Sequence, residues 1–389
     1  LKQQTYRKLI SGQSSGFSAT ALRFLLAIAA AGYSLVVRLR NFLYSKGLLK
    51  VHPVNAAVLC IGNITVGGTG KTPLVVWLCN LLSQNYKCAI LTRGYKAGAQ
   101  ESKGFKDEIA ILAESCPEAG VIVNPDRVVG AAEAIDKHAA DVLIMDDGFQ
   151  HRRLARDLDI IAIDAMQPFG FEKLLPAGLL REPVSSLKRA GAAVITRCDQ
   201  VTDAQLRGFE QILREINPSI IIARSIHIPV SVEYPEPTVI PAKAGIQKNN
   251  KKMDSCLRST VRRPAENDYT EQLKGKKVFA FCGIGNPDAF LNTIKDLGTE
   301  LAGSAVFDDH HHYTNACLTE ITERAKKLGA DLILTTQKDW TKVISKLELQ
   351  NSESKSHPPF AYLAIEIKFL SGEDKLTALI KETLAGKIP

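Results

Sequence analysis

Apolar residues in this chain gather into short unbroken runs, and the runs alternate with stretches of helical spacing. Residues 56–61 read Ala-Ala-Val-Leu-Cys-Ile. Similar runs follow at 87–92, 140–145, 158–164 and 192–197, and again at 276–281, 331–336 and 361–366. A strand that is apolar at every position has both faces buried, as in a parallel sheet covered by helices on both sides. Helical patterns at about 73–83, 127–138 and 288–297 supply those covering layers. The pattern therefore predicts two α/β domains, one over residues 51–225 and a smaller one over 276–389.

Two stretches fall outside that rhythm. Residues 1–18 are polar and basic, and an apolar run at 19–37 leads directly into Arg38 and Arg40 rather than into a small-residue cleavage site. Its charge-free part, 24–37, spans about 21 Å as a helix, short of a hydrocarbon core of roughly 30 Å. Residues 1–50 are expected to form a membrane-associated segment whose helix lies in, or dips into, the membrane face. Arg23, Arg38 and Arg40 would then reach towards phosphate head groups. A core helix packed on the next domain is the alternative. The second stretch, 226–275, carries Pro229, Pro235, Pro237 and Pro241 and then a Lys-, Asn- and Arg-rich segment. It is expected to be a linker with a solvated insertion at 241–263.

Composition adds little to this picture, but charge removes one reading. Of 389 residues, 45% are hydrophobic and 23% charged, which suits two domains with proper cores. The net charge of +8 is mostly local: seven basic residues and one acidic residue between 241 and 263 supply +6 of it. No aromatic-interleaved basic face is visible, so no nucleic-acid partner is expected. The eight cysteines form no C-x-x-C pair, which argues against a zinc site or a disulfide framework.

Candidate chemistry centres on residues 62–72, Gly-Asn-Ile-Thr-Val-Gly-Gly-Thr-Gly-Lys-Thr, between an expected strand and an expected helix. Gly67, Gly68, Thr69 and Gly70 let backbone N–H groups converge on phosphate oxygens, and the helix N-terminus adds positive potential. Lys71 can reach the β- and γ-phosphates, and the Thr72 hydroxyl can ligate Mg²⁺. Thr65 stands where the first glycine of the G-x-x-x-x-G-K-[ST] pattern falls. Asp146 and Asp147 follow another strand of the same sheet, whose C-terminal edge would place them beside Thr72 as Mg²⁺ ligands. The fold expected is thus a P-loop NTPase-like parallel-sheet domain, a second smaller α/β domain, and an N-terminal membrane-associated helix. A loop of the second domain, Asp308-Asp309-His310-His311-His312-Tyr313, is a candidate source of a histidine-oriented carboxylate. Three successive histidines do not converge on one ion, so no zinc is expected there. Gly283-Ile284-Gly285 lacks the third glycine of a dinucleotide fingerprint, so no second cofactor is expected.

Together these motifs resemble the tetraacyldisaccharide 4'-kinase family. The marks are residues 40–47 (Arg-Asn-Phe-Leu-Tyr-Ser-Lys-Gly), 62–72, Arg93-Gly94-Tyr95, Asn124-Pro125-Asp126-Arg127 and 146–151. They continue with Leu175-Pro176-Ala177-Gly178, Leu180-Arg181-Glu182-Pro183, Asp309-His310-His311 and Thr335-Thr336-Gln337-Lys338-Asp339. The resemblance implies transfer of the ATP γ-phosphate to the 4'-hydroxyl of a tetraacylated glucosamine disaccharide 1-phosphate, with Mg²⁺, at the cytoplasmic face of the inner membrane. It implies no obligate protein partner. It also implies Asp107 as the catalytic carboxylate, in Lys106-Asp107-Glu108-Ile109, where the family carries Gly-Asp-Glu-Pro, and His310 as its partner. Arg127, Arg181 and His151 become candidate substrate contacts. The competing reading is a membrane-associated switch NTPase acting through a protein partner. It leaves the His310 loop unexplained, and it lacks a guanine-specific Asn-Lys-x-Asp box.

Overall fold

The computed structural model describes residues 3–94, 103–234, 273–309, 311–350 and 358–388. The chain forms two compact units, Leu1–Ile228 with Asp308–His312 and Ile365–Pro389, and Pro229–Phe307 with Tyr313–Ala364.

The first unit opens with α1 (Gln3–Ile10) and α2 (Phe17–Ser45). It continues through β1 (Ala57–Gly62), α3 (Lys71–Leu82), β2 (Cys88–Thr92), α4 (Lys103–Ser115), β3 (Gly120–Val123) and α5 (Arg127–His138). Then come β4 (Val142–Asp146), β5 (Leu158–Asp164), β6 (Ala192–Thr196), α6 (Asp203–Ile216) and β7 (Ile221–Glu233). These strands lie in the order β3-β2-β4-β1-β5-β6-β7, and each neighbouring pair is parallel. Alternate residues of β1 serve opposite faces, as a pleated strand requires. Leu59 and Ile61 pack with Leu74 and Leu78 of α3, while Val58 and Cys60 pack with Ala131 and Ala134 of α5. Further along the sheet, Ile161 and Ile163 of β5 meet Leu206 and Leu213 of α6. Helices therefore cover both faces, which is why these runs show no alternation.

The second unit contains β8 (Lys277–Cys282), α7 (Pro287–Asp296), β9 (Glu300–Val306), α8 (Asn315–Lys327), β10 (Leu332–Thr336), α9 (Gln337–Gln350) and the start of β11 (Phe360–Ser371). Its strands run β11-β10-β8-β9, again parallel. Phe279 and Phe281 face Leu318 of α8 and Val343 of α9, whereas Val278 and Ala280 face Ile294 of α7.

Several boundaries differ from the sequence-based expectation. The expected C-terminal domain 276–389 ends early, because Ile365–Pro389 groups with the first unit. The last helix, α10 (Glu373–Ala385), places Leu376, Ile380 and Leu384 in the same core cluster as Leu59 and Leu74. The loop Asp308–His312 also groups with the first unit rather than the second. The start of the expected linker, 226–233, is strand, since β7 runs to Glu233; its ladder with β6 covers only Ile221 to Arg224, so Pro229 interrupts no bond of it. The basic insertion 241–263 lies outside the described residues.

The N-terminal helix departs in a different way. α2 is 29 residues long, about 43 Å, and is long and apolar enough to cross a membrane. Phe24, Leu25, Ile28, Leu35, Val36, Leu39 and Phe42 form an exposed stripe along one side. A core helix would bury that stripe, so the packed-core alternative does not hold. The opposite side docks on its own unit: Tyr33 donates to the Arg181 carbonyl at 2.8 Å, and Arg40 pairs with Glu182 at 2.8 Å. Arg40 is therefore taken by a buried carboxylate instead of reaching outward. Within the polar start, α1 forms and is pinned by Tyr6, whose hydroxyl donates to the Pro176 carbonyl at 2.8 Å.

Candidate functional site

The site is assembled by the register of two neighbouring strands. Ile61 pairs with Asp146, so the turn after β1 and the acidic pair at the end of β4 emerge side by side at one sheet edge. Gly62 makes that approach possible, because a Cβ there would fall 2.6 Å from the Cβ of Phe149. The loop then curls into α3, whose N-cap is Gly70 in the left-handed region at φ 79. Non-glycine residues rarely adopt that conformation.

The loop is held from inside and from the side. Asn63 donates its side-chain amide to Thr69 Oγ1 at 3.0 Å, and Gln150 donates to the Asn63 carbonyl at 2.8 Å. From the β6 side, Thr196 Oγ1 donates to the Thr69 carbonyl at 3.0 Å, and Arg197 Nη2 donates to the Gly68 carbonyl at 2.8 Å. Arg7 of α1 reaches within 3.7 Å of the point a Cβ on Gly67 would occupy. With the carbonyls of Asn63, Gly68 and Thr69 tied and the Val66 N–H given to the Leu179 carbonyl at 2.8 Å, the N–H groups from Gly67 to Thr72 are the ones a ligand can take. That is the arrangement of an anion cradle.

Charge converges on the same edge. Lys71 Nζ stands 3.4 Å from Asp147 Oδ1, and Arg181 Nη1 stands 2.8 Å from Asp147 Oδ2. Burial alone would raise Asp147, but Lys71 and Arg181 outweigh it and hold its carboxyl below the ordinary range. Asp146 responds in the opposite direction. Burial, then the neighbouring Asp147 and Glu108, push its pKa up to about 7. Asp147, held anionic by Lys71 and Arg181, and the adjacent Asp146 are hard oxygen donors of the kind a cation takes. With the hydroxyl of Thr72, in the first turn of α3, they are the donor types that Mg²⁺ prefers and the residues that could hold it. Asp147 also sits at φ 50, a conformation uncommon outside glycine and frequent at functional turns.

The other predicted residues fall into place unevenly. Arg127 is buried behind the acidic pair, where it donates to the carbonyls of Asn124 at 2.9 Å and Asp146 at 3.1 Å. Those two bonds tie the acidic turn to the start of α5. His151 is held neutral, with its pKa pulled down to about 4 by burial and by Arg127, and its Nδ1 is buried without a hydrogen-bond partner. Asp107 lies on the backbone of α4, with its side chain outside the described residues, and His310 also lies outside them. Thr196, Arg197 and Glu182 are contributions that residue-type reasoning did not assign. In sequence, 192–197 reads only as a strand, and the Thr-Arg pair that ends it is the feature from which the first two could have been found.

Comparison with known proteins agrees with this geometry. Residues 22–385 match the sequence profile of the family described as tetraacyldisaccharide-1-P 4'-kinase. A tetraacyldisaccharide 4'-kinase from Halothermothrix orenii is 32% identical over 334 residues, 82% of each chain. One from Chlorobaculum parvum is 32% identical over 392 residues, 95% of this chain and 98% of its own. Among solved structures, the "apo" form of LpxK from Aquifex aeolicus in complex with ATP is similar in fold. Its TM-score is 0.65 at 26% identity, covering 93% of this chain and 99% of that one. With the phosphate loop, the acidic pair beside it and the match across nearly its whole length, this chain belongs to the tetraacyldisaccharide-1-P 4'-kinase family.

Proposed function

We propose that this chain transfers the γ-phosphoryl group of ATP to the 4'-hydroxyl of a tetraacylated glucosamine disaccharide 1-phosphate at the cytoplasmic face of the inner membrane. The observation that carries the reading is the convergence of Lys71, Arg181 and the Asp146–Asp147 pair at the mouth of the phosphate loop. Phosphoryl transfer needs little covalent help from a protein; positioning and charge account for most of it. The amides of Gly67 to Thr72 and the Lys71 ammonium hold the triphosphate, and Arg181 lies where charge accumulates on the transferred group. Thr72, Asp147 and Asp146 would hold Mg²⁺, which would supply charge neutralisation for the phosphoryl group being transferred.

Asp107 accepts the proton of the 4'-hydroxyl as its oxygen bonds to the γ-phosphorus, and the bond from that phosphorus to the β–γ bridging oxygen breaks to release ADP. His310 orients Asp107. The apolar stripe of α2 supports a membrane seat, because the four acyl chains of the acceptor keep it in a bilayer. The test is transfer of label from γ-labelled ATP to the disaccharide lipid in mixed micelles. Release of inorganic phosphate alone, with no labelled lipid, would favour a switch NTPase and overturn the proposal.

A further inference from the structure

The cationic end of the site lies on the β4 side of β1, where Lys71 and Arg181 meet Asp147. Strands β5, β6 and β7 lie on the other side. A triphosphate whose most anionic terminal group rests against Lys71 must direct its nucleoside the other way, over the end of β6. A fixed cation stands there among the described residues. Arg197 sits immediately after β6 at φ 57, a left-handed conformation that an arginine adopts only when its surroundings impose it. Its Nη1 is bound by the Asp164 carboxylate and its Nη2 by the Gly68 carbonyl at 2.8 Å. With both terminal nitrogens bonded, the guanidinium is a plane that cannot swing away; the Arg197 side chain is 13% exposed, and its bond to Gly68 is at the surface. Against the same loop from beneath, His227 of β7 closes the space around Gly70. A Cβ there would stand 2.7 Å from the imidazole Nε2 and 3.3 Å from Thr196 Cγ2. The loop therefore cannot settle towards β7, and Arg197 stays beside it.

We propose that Arg197 is the nucleoside platform of this kinase, with its guanidinium plane packing against the purine or ribose of ATP. A planar, weakly hydrated, immobilised guanidinium stacks on a π-face in a way that an ammonium does not. The inference rests on the nucleotide reading of the phosphate loop, but it concerns a part of ATP that takes no part in the chemistry. Asp164 acts through Arg197 and is a positioning residue.

The test compares two ligands that differ only in the nucleoside, ATP and inorganic tripolyphosphate. Each is titrated with Mg²⁺ into the full-length protein in detergent, with no lipid present. In the unmodified protein ATP binds more tightly than tripolyphosphate. Arg197→Ala is expected to weaken tripolyphosphate a few-fold, because the Gly68 carbonyl is released, and ATP about tenfold more than that, which closes the gap. Arg197→Lys is expected to behave like the alanine variant, because it keeps the charge and loses the plane. In turnover, KM for ATP is expected to rise by a larger factor than kcat falls. Asp164→Asn, which leaves Arg197 present but unheld, is expected to weaken ATP about threefold, and it keeps the test informative if Arg197→Ala misfolds. Equal weakening of both ligands would show that Arg197 only shapes the phosphate loop, and unchanged affinity for both would show no role; either result overturns the proposal. Failure of the kinase reading shows separately, as absent lipid labelling with the binding pattern intact.

Discussion

Glu182 is where the N-terminal helix is tied to the catalytic edge, and removing it has a calculable consequence. Its side chain is wholly buried and accepts from Arg40 at 2.8 Å, from Arg189 at 3.0 Å and from Asn41 at 3.0 Å. The next residue back, Arg181, carries the contact to Asp147 and accepts from Tyr33 of α2 through its carbonyl. Three hydrogen bonds involving a buried charge would each be worth about 1.5–3 kcal/mol in isolation. The two guanidiniums retain water, however, with side chains 35% and 20% exposed, so part of their loss is recovered in Glu182→Ala. The net cost expected is about 3 kcal/mol, which for a domain of this size lowers Tm by about 6 °C.

The assay is thermal unfolding of the full chain in detergent, read by circular dichroism, alongside Glu182→Gln and a double-mutant cycle with Arg40→Ala. The glutamine variant keeps the shape and should recover about half of the loss. The cycle should return a coupling of about 1–2 kcal/mol. Burial alone would raise the Glu182 pKa, but Arg189, Ser186 and Arg40 outweigh it and hold it low. A carboxyl held low stabilises above the unfolded value of about 4.3 and loses that contribution as pH falls through the folded value. The gap between variant and unmodified protein should therefore narrow below about pH 4. A Glu182→Ala protein that melts within 1 °C of the unmodified one would refute the clamp.

Four further outcomes are expected. Lys71→Ala should lower kcat at least about 100-fold, while Asp107→Ala should lower kcat by about two orders of magnitude with ATP affinity unchanged; a silent Asp107 variant would remove that residue from the base role. Gly70→Ala combines a φ of 79 with a Cβ 2.7 Å from His227 Nε2, so nucleotide titration should show ATP binding reduced at least about tenfold, and adding His227→Ala should restore it only in part because the backbone strain remains. His227 is held neutral, its pKa pulled down to about 4 by burial and by Arg197. Because the unfolded histidine titrates near 6.5, stability should fall with pH between about 6.5 and 4 by about 1.4 kcal/mol per unit. His227→Gln should flatten that slope in urea titrations taken at several pH values.

Much of the architecture was legible because it depends on local patterns. The buried strands β1, β2, β4, β5 and β6 show as unbroken apolar runs, since both their faces meet helices. The strands that went unread are those whose burial is partial. β3 has four residues with one fully buried, and β9, seven residues of mostly small side chains, is half-covered along most of its length. β7 carries Arg224, His227 and Pro229 among its apolar positions, which disguised it as an irregular stretch. The phosphate loop was readable because its chemistry is carried by consecutive backbone groups, and the acidic pair because strand order at one sheet edge is a general rule.

Amino-acid order by itself thus determined the paired α/β layers, the anion-binding turn and the family to which the chain is similar, because each depends on neighbours within a few residues. Only the folded chain decided which distant groups serve that turn. It placed Arg197 and Thr196 against the loop carbonyls, put Arg127 behind the acidic pair, gave the last helix to the first unit, and turned Arg40 inward to Glu182. Those choices join residues separated by tens to hundreds of positions. Which cation answers which buried carboxylate or carbonyl is settled by packing and desolvation, and neither leaves a periodic trace along the chain.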